Sequence, residues 1–145
     1  MLKSVVAVAS DHGGFDLKLM IVKYLEELGC EVLDLGANSL ESVDYPDYAD
    51  IMAAAIKDGR CERGILFCGT GIGISMAANR HRHIRAANCH DVTEARLCRA
   101  HNNANVLALG GRTIGPEVAM DCVRVFLQTE FEGGRHARRV GKMSD

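Results

Sequence analysis

ILFCGTGIGIS, Ile65 to Ser75, passes from an apolar run through a cysteine into glycines at alternate positions and on into a helical pattern. Ile65 to Phe67 reads as a buried strand, and the apolar spacing from Ile72 to Asn79 reads as a helix. A strand feeding a helix through a glycine turn is one βα unit. The fold depends on whether that unit recurs.

It does. Val5 to Ala9 and Val106 to Leu109 are further strand-like runs, with weaker ones at Glu31 to Leu35 and Ile84 to Asn88. Helical periodicity fills the gaps at Phe15 to Leu28, Tyr48 to Lys57, Val92 to Arg99 and Val118 to Gln128. Gly29 follows the first helix, Pro46 opens the second, Gly59 closes it, and Pro116 opens the fifth. Strand and helix alternate throughout, which predicts an α/β fold with a five-stranded parallel sheet between two helical layers. No internal repeat or low-complexity linker divides residues 1–145, so one domain is expected. After Gln128 comes an arm, residues 129–145, carrying Arg135, Arg138, Arg139 and Lys142, a local basic excess.

Composition excludes several classes. The chain has 145 residues, a net charge of −2 and only 5% aromatics without tryptophan, a poor match to nucleic acid or an anionic membrane. No apolar run reaches the length of a membrane span, and Met1 to Ser10 lacks the form of a signal peptide, so the expected compartment is the cytosol. Cysteines 30, 61, 68, 89, 98 and 122 form no CxxC pair, and free thiols are expected. Cys30, Cys61 and Cys122 read as small core residues. The run Arg80 to Arg85 reads as a solvated loop.

In an open α/β sheet, ligands bind beyond the carboxyl ends of the strands. Those ends carry Asp11-His12-Gly13-Gly14, Cys68-Gly69-Thr70-Gly71-Ile72-Gly73 and Gly110-Gly111-Arg112. The middle loop lacks both the GxGxxG spacing and the P-loop lysine. Its amides can hold any anion, whether a phosphate or charge that develops in a transition state; alternatively the glycines serve only a tight turn. Cys68 at its mouth is placed for a nucleophile or a general base, against the plainer role of a buried strand-end thiol. Asp11 either caps the first helix or handles hydroxyl protons. Cys89, His90, Cys98 and His101 match no familiar metal-ligand spacing, and no metal is expected. His101 precedes the fifth strand and so lies at the amino end of the sheet, away from the other candidates. If it takes part in catalysis, it serves the cleft of a partner chain.

Five segments then fall into one pattern: DHGG (11–14), SVDYPDYA (42–49), CGTGIGIS (68–75), HNNANVLALGGR (101–112) and EGGRHARRV (132–140). Together they resemble the ribose-5-phosphate isomerase type B family, which also contains allose- and galactose-6-phosphate isomerases. The resemblance implies a flavodoxin-like, Rossmann-like sheet of order 2-1-3-4-5. It implies a site without cofactor or metal, shared between the chains of a dimer or tetramer, and a phosphorylated aldose or ketose as substrate. Cys68 matches the base that moves the proton between C1 and C2, with Thr70 assisting and the amides from Gly69 through Gly71 to Gly73 holding the enediolate oxygen. His101 matches the ring-opening histidine, Asp11 lies near the anomeric hydroxyl, and Asn102 and Tyr45 meet the sugar. His12, Arg112, Arg135 and Arg139 match the phosphate clamp. Position 74 is isoleucine, so the chain follows the family's cysteine branch rather than its glutamate branch. Ribose 5-phosphate is the expected substrate, with a 6-phosphohexose, or a non-catalytic sensor of sugar phosphates or nucleotides, as the alternatives.

Overall fold

Three strands in this chain are apolar at nearly every position: β1 (Val5–Ser10), β3 (Arg63–Cys68) and β5 (Val106–Gly110). Residues that cannot face water on either side must be covered on both, and the fold obliges with helices above and below. The computed structural model describes residues 4–144. With β2 (Glu31–Asp34) and β4 (Ala86–Asn88), these strands form one parallel sheet in the order β2-β1-β3-β5-β4.

The order departs from the expected 2-1-3-4-5, and the reason lies in the strands themselves. Val106 to Gly110 is buried throughout, whereas Ala86 to Asn88 is three residues long and only half-buried. A short, partly polar strand satisfies an edge, and the longer apolar strand takes the interior place beside β3. The polar-ended β2, Glu31 to Asp34, occupies the other edge for the same reason.

Helices α1 (Phe15–Glu27), α4 (Val92–Ala100) and α5 (Pro116–Gln128) cover one face, where Ile21, Leu25, Val123 and Phe126 meet Val8, Ile65, Phe67 and Leu107. On the other face lie α2 (Tyr45–Lys57) and α3 (Ile72–Ala78). That second core is built largely from alanines at 7, 9, 49, 53, 55, 78 and 108, so these helices approach the sheet closely. The local signals agree with the boundaries. Pro46 and Pro116 lie in the first turns of α2 and α5. Asp91 accepts from the Glu94 amide at 2.8 Å while Glu94 accepts from the His90 amide at 2.6 Å, a reciprocal cap for α4. The basic arm, read from sequence only as a charged tail, contains a short helix, α6 (Arg135–Gly141), anchored by the buried Val140.

The cysteines other than Cys68 behave as packing. All six are free; Cys61 and Cys122 are buried, Cys30 partly so, and burial pushes the thiols of Cys30 and Cys61 up and that of Cys122 up to about 11. Among the described residues no helix is long and apolar enough to cross a membrane.

One charge is fully inside. Lys18 of α1 is buried, and its Nζ donates to Asp34 Oδ1 at 2.8 Å and to the Ala37 carbonyl at 2.6 Å. Asp34 also accepts from the Gly36 amide at 2.9 Å, so the pair ties the end of β2 and the following loop to α1. The two partners are unequal, since the Asp34 side chain is 39% exposed and that of Lys18 1%. Removing the carboxylate strands a buried cation, whereas removing the amine leaves an anion that water reaches. Asp34→Ala is therefore expected to cost about 3 kcal/mol or more, and Lys18→Met roughly 1–2 kcal/mol. Urea unfolding of the two variants checks both the sizes and their order.

Candidate active site

The loop after β3 is held by its neighbours' backbones. The Gly111 amide donates to the Cys68 carbonyl at 2.8 Å and the Arg112 amide to the Gly69 carbonyl at 2.9 Å, stitching the end of β5 to the glycine loop. A side chain at Gly111 would run into the Gly13 carbonyl at 2.6 Å, and one at Gly14 would meet Phe67 backbone and Cβ atoms at 2.5 Å. The turns after β1, β3 and β5 thus interlock with no space between them. Gly71 adopts φ +81°, a left-handed conformation that reverses the chain into α3 and that side-chain-bearing residues rarely take.

This geometry aims a backbone donor at the thiol. Cys68 is 4% exposed, and its Sγ accepts the Gly71 amide at 3.1 Å. An N–H directed at sulfur fixes its position and stabilises negative charge there. Thr70 is exposed, and its Oγ1 accepts from the Ile72 amide at 3.1 Å, which leaves its own proton free to be donated. Gly71 and Ile72 are thereby engaged within the loop. The amides of Gly73 and Ile74, in the first turn of α3, remain as the donors a helix start leaves without intrahelical acceptors. Gly73 faces Tyr45, whose ring carbon would stand 2.7 Å from any added Cβ. Arg112 lies across Gly69, its Nη1 3.1 Å from where a Cβ would be.

Asp11 does cap: its Oδ1 accepts from the Gly14 amide at 3.1 Å, closing the 3-10 turn His12–Gly14 that leads into α1. The carboxylate is buried and retains a second oxygen. His12 Nδ1 accepts from the Val43 amide at 3.2 Å, which ties the segment before α2 to this turn and places the proton of the neutral imidazole on Nε2. Asp11, His12, Tyr45, Cys68, Gly69, Thr70, Gly71, Gly73 and Arg112 accordingly share one end of the sheet.

His101, Asn102, Arg135 and Arg139 do not join them. His101 caps the C-terminus of α4, and Asn105, just ahead of β5, accepts through its carbonyl from the Gly64 amide at 3.0 Å at the start of β3. Cys68 pairs with Gly110 at the far end of β5, so the strand separates the two groups by roughly 13 Å or more. The arm belongs to the His101 end: the Glu132 amide donates to the Ala100 carbonyl at 3.0 Å, and the His136 ring stacks on His101 with centroids 4.3 Å apart. Burial, then the nearby His101 and Arg135, hold His136 below the ordinary imidazole range, against the pull of Glu132. The phosphate clamp expected from the resemblance is thereby divided, with His12 and Arg112 at one end and Arg135 and Arg139 at the other.

Two residues escaped the sequence reading. His136 reaches His101 through a contact 35 positions away in the chain, which no local pattern reports. Asn88, at the end of β4, turns its buried Oδ1 toward Gly71, and that oxygen has no hydrogen-bond partner among the described residues. Its proximity follows from β4 pairing with β5, whose end meets the glycine loop, a contact between segments distant in sequence. Beside the loop, Ile72 (52% exposed) and Met76 (60%), four positions apart on α3, form an apolar stripe open to solvent.

Known proteins resemble this chain along nearly its whole length. A family model described as Ribose/Galactose Isomerase matches residues 6–143. A protein named ribose-5-phosphate isomerase B from Escherichia coli is 49% identical, over 93% of this chain and 91% of its own. A D-erythrulose-4-phosphate isomerase from Pectobacterium atrosepticum is 47% identical, over 95% of this chain and 91% of its own. Among solved structures, a ribose 5-phosphate isomerase from Thermotoga maritima superposes with a TM-score of 0.95 at 52% identity, covering 97% of both chains.

The packing of the turns makes two glycines informative. Gly14→Ala must displace backbone and is expected to destabilise by about 1–3 kcal/mol. Gly73→Ala meets first the exposed Tyr45 ring and is expected to change stability by less than about 1 kcal/mol while moving Tyr45 off the loop. Denaturant unfolding of both variants distinguishes the two cases.

Proposed function

Since the chain belongs to the ribose/galactose isomerase family, we propose that it interconverts ribose 5-phosphate and ribulose 5-phosphate by moving a proton between C2 and C1 through an enediolate. The observation that carries this reading is the amide of Gly71 on the sulfur of Cys68, 3.1 Å away, at the mouth of a loop with unspent N–H donors. Cys68 as thiolate takes the C2 proton of the open-chain aldose and returns it to C1. The Thr70 hydroxyl and the amides of Gly69 and Gly73 receive the developing oxyanion, where fixed dipoles outperform water because they need not reorganise. This chemistry asks for a base, an oxyanion site and a grip on the phosphate, and no redox or nucleotide partner.

Ring opening needs an acid and a base of its own, the roles assigned to His101 and Asp11, with Asn102 and Tyr45 holding sugar hydroxyls. A single chain keeps His101 roughly a strand's length from Cys68. The proposed assembly is a homodimer, or a pair of dimers, in which the His101 end of one chain faces the Cys68 end of another, completing each site twice by symmetry. The exposed Ile72 and Met76 beside the loop support this, being apolar surface where such a partner would seat. In it, His12 and Arg112 of one chain and Arg135 and Arg139 of the other grip one phosphate, and that remote binding energy aligns the reacting carbons. The reading places the enzyme in the cytoplasm, where phosphorylated sugars are retained. Turnover of ribose 5-phosphate beside allose 6-phosphate, galactose 6-phosphate and erythrulose 4-phosphate tests the substrate; no turnover of any of them refutes the activity.

Cys68→Ala removes the base without leaving a large cavity. Its rate is expected to fall by about 10²–10⁴-fold with the unfolding midpoint nearly unchanged, and more than a few per cent residual activity counts against the thiolate. The shared site has its own test. Mixing inactive Cys68→Ala and His101→Ala chains under conditions of subunit exchange is expected to restore activity, up to one intact site per mixed dimer. Exchange without recovery places both residues in one chain's site.

A further inference from the structure

We propose that His101, Glu132 and His136 bind one divalent transition-metal ion of the kind imidazole and carboxylate share, with Zn²⁺ as the probe, and that its occupancy inhibits the isomerase by sequestering His101. The inhibitory half rests on the function proposed above; the site itself does not.

The three side chains converge from two segments distant in sequence. His101 Nε2 lies 3.9 Å and His136 Nε2 3.7 Å from the same oxygen, Glu132 Oε1, and the three ligand atoms fall within 4.8 Å of one another. The imidazoles stack 4.3 Å apart and 13° from parallel, so an ion in the plane of one ring lies outside the plane of the other, and binding both requires one ring to turn. Around a tetrahedral ion with bonds of about 2.0–2.1 Å, neighbouring ligand atoms stand about 3.3 Å apart. Closing to that spacing takes roughly half an ångström at the exposed Glu132 carboxylate together with a rotation of the His101 ring, whose side chain is 41% exposed. The frame is firm, because the Glu132 amide is bonded to the Ala100 carbonyl and the His136 side chain is only 13% exposed. Two imidazoles and a carboxylate leave the fourth position open to water. Arg135 and Arg139 nearby oppose a cation, which makes this site weaker than a structural zinc centre.

This set differs from the cysteine–histidine group considered from sequence. His90 and His101 flank the nine-residue α4 at opposite ends, about 13 Å apart, and cannot share an ion. A catalytic reaction that needs no metal and a metal that blocks it are compatible, since the ion would occupy the lone pair that ring opening uses.

Calorimetric titration of the metal-free full chain with Zn²⁺, together with the absorption spectrum of the Co²⁺ form, tests the site. One ion per chain is expected. Glu132→Gln and His136→Gln should each weaken binding at least about tenfold, since even outer-shell partners of a metal are worth about 10–100-fold, while melting temperatures stay close to that of the parent. Affinity unchanged in both variants, or a sulfur-to-cobalt charge-transfer band revealing thiol ligands, overturns the site. Turnover of ribose 5-phosphate should fall as Zn²⁺ is added, recover with EDTA, and resist Zn²⁺ in Glu132→Gln by the same factor as binding. Full activity with the site saturated overturns the inhibition. An inactive metal-free parent would instead refute the proposed function, and calorimetry would still decide the site.

Discussion

Two backbone hydrogen bonds, from Gly111 to the Cys68 carbonyl and from Arg112 to the Gly69 carbonyl, are the constraint on which the rest of the molecule depends. They exist only because β5 lies directly beside β3. Had β4 stood between them, Arg112 would sit about 10 Å from the glycine loop, two strand spacings away. The apolar completeness of Val106 to Gly110 therefore does more than fill the core. It pulls β5 inward, and the guanidinium, the glycine loop and the first turn are drawn to one point as a consequence.

Much of this was legible from the chain. Alternating strand and helix patterns gave the layers, and Asp11, Cys68 and Arg112 fell at the carboxyl ends where the structure has them. Helix starts at Pro46 and Pro116 were marked by local chemistry that tertiary packing had no reason to override. The strand order was not legible from the family pattern, although a physical signal was present in the weakness of Ala86 to Asn88 as an interior strand. The α6 helix was missed because Arg135 to Gly141 is too short and too charged to show periodicity; tertiary contacts, the burial of Val140 and the stacking of His136 on His101, hold it in place. His136 and Asn88 were out of reach for another reason: each matters through a contact between segments that local pattern does not connect.

The sheet also explains why the candidate residues divide into two groups. A parallel strand carries the chain from one end of the molecule to the other, and each helix brings it back. Residues immediately before β5 and those immediately after it must then lie at opposite ends. HNNANVLALGGR contains both His101 and Arg112, so a single motif supplies both ends, and no loop movement within one chain can bring them together. The arm after α5 returns to the amino end as well, which is why Arg135 and Arg139 travel with His101. On the proposed reading, association of chains joins the two groups, with the exposed Ile72 and Met76 beside the loop as the surface on which a partner would seat.

The identity of the residue at position 68 follows from the same packing. The second core is a face of alanines, so α2 and α3 lie close to the sheet and leave Cys68 4% exposed with one amide for its sulfur. A carboxylate at that position would bring two oxygens with about four lone-pair sites into a space that offers one donor, and burying an anion so poorly paired costs several kcal/mol. A neutral thiol is at ease there as a small apolar group and needs no partner at rest. On the proposed reading, the Gly71 amide already faces the sulfur that takes the proton. A deeply seated base at this position is thus best served by sulfur.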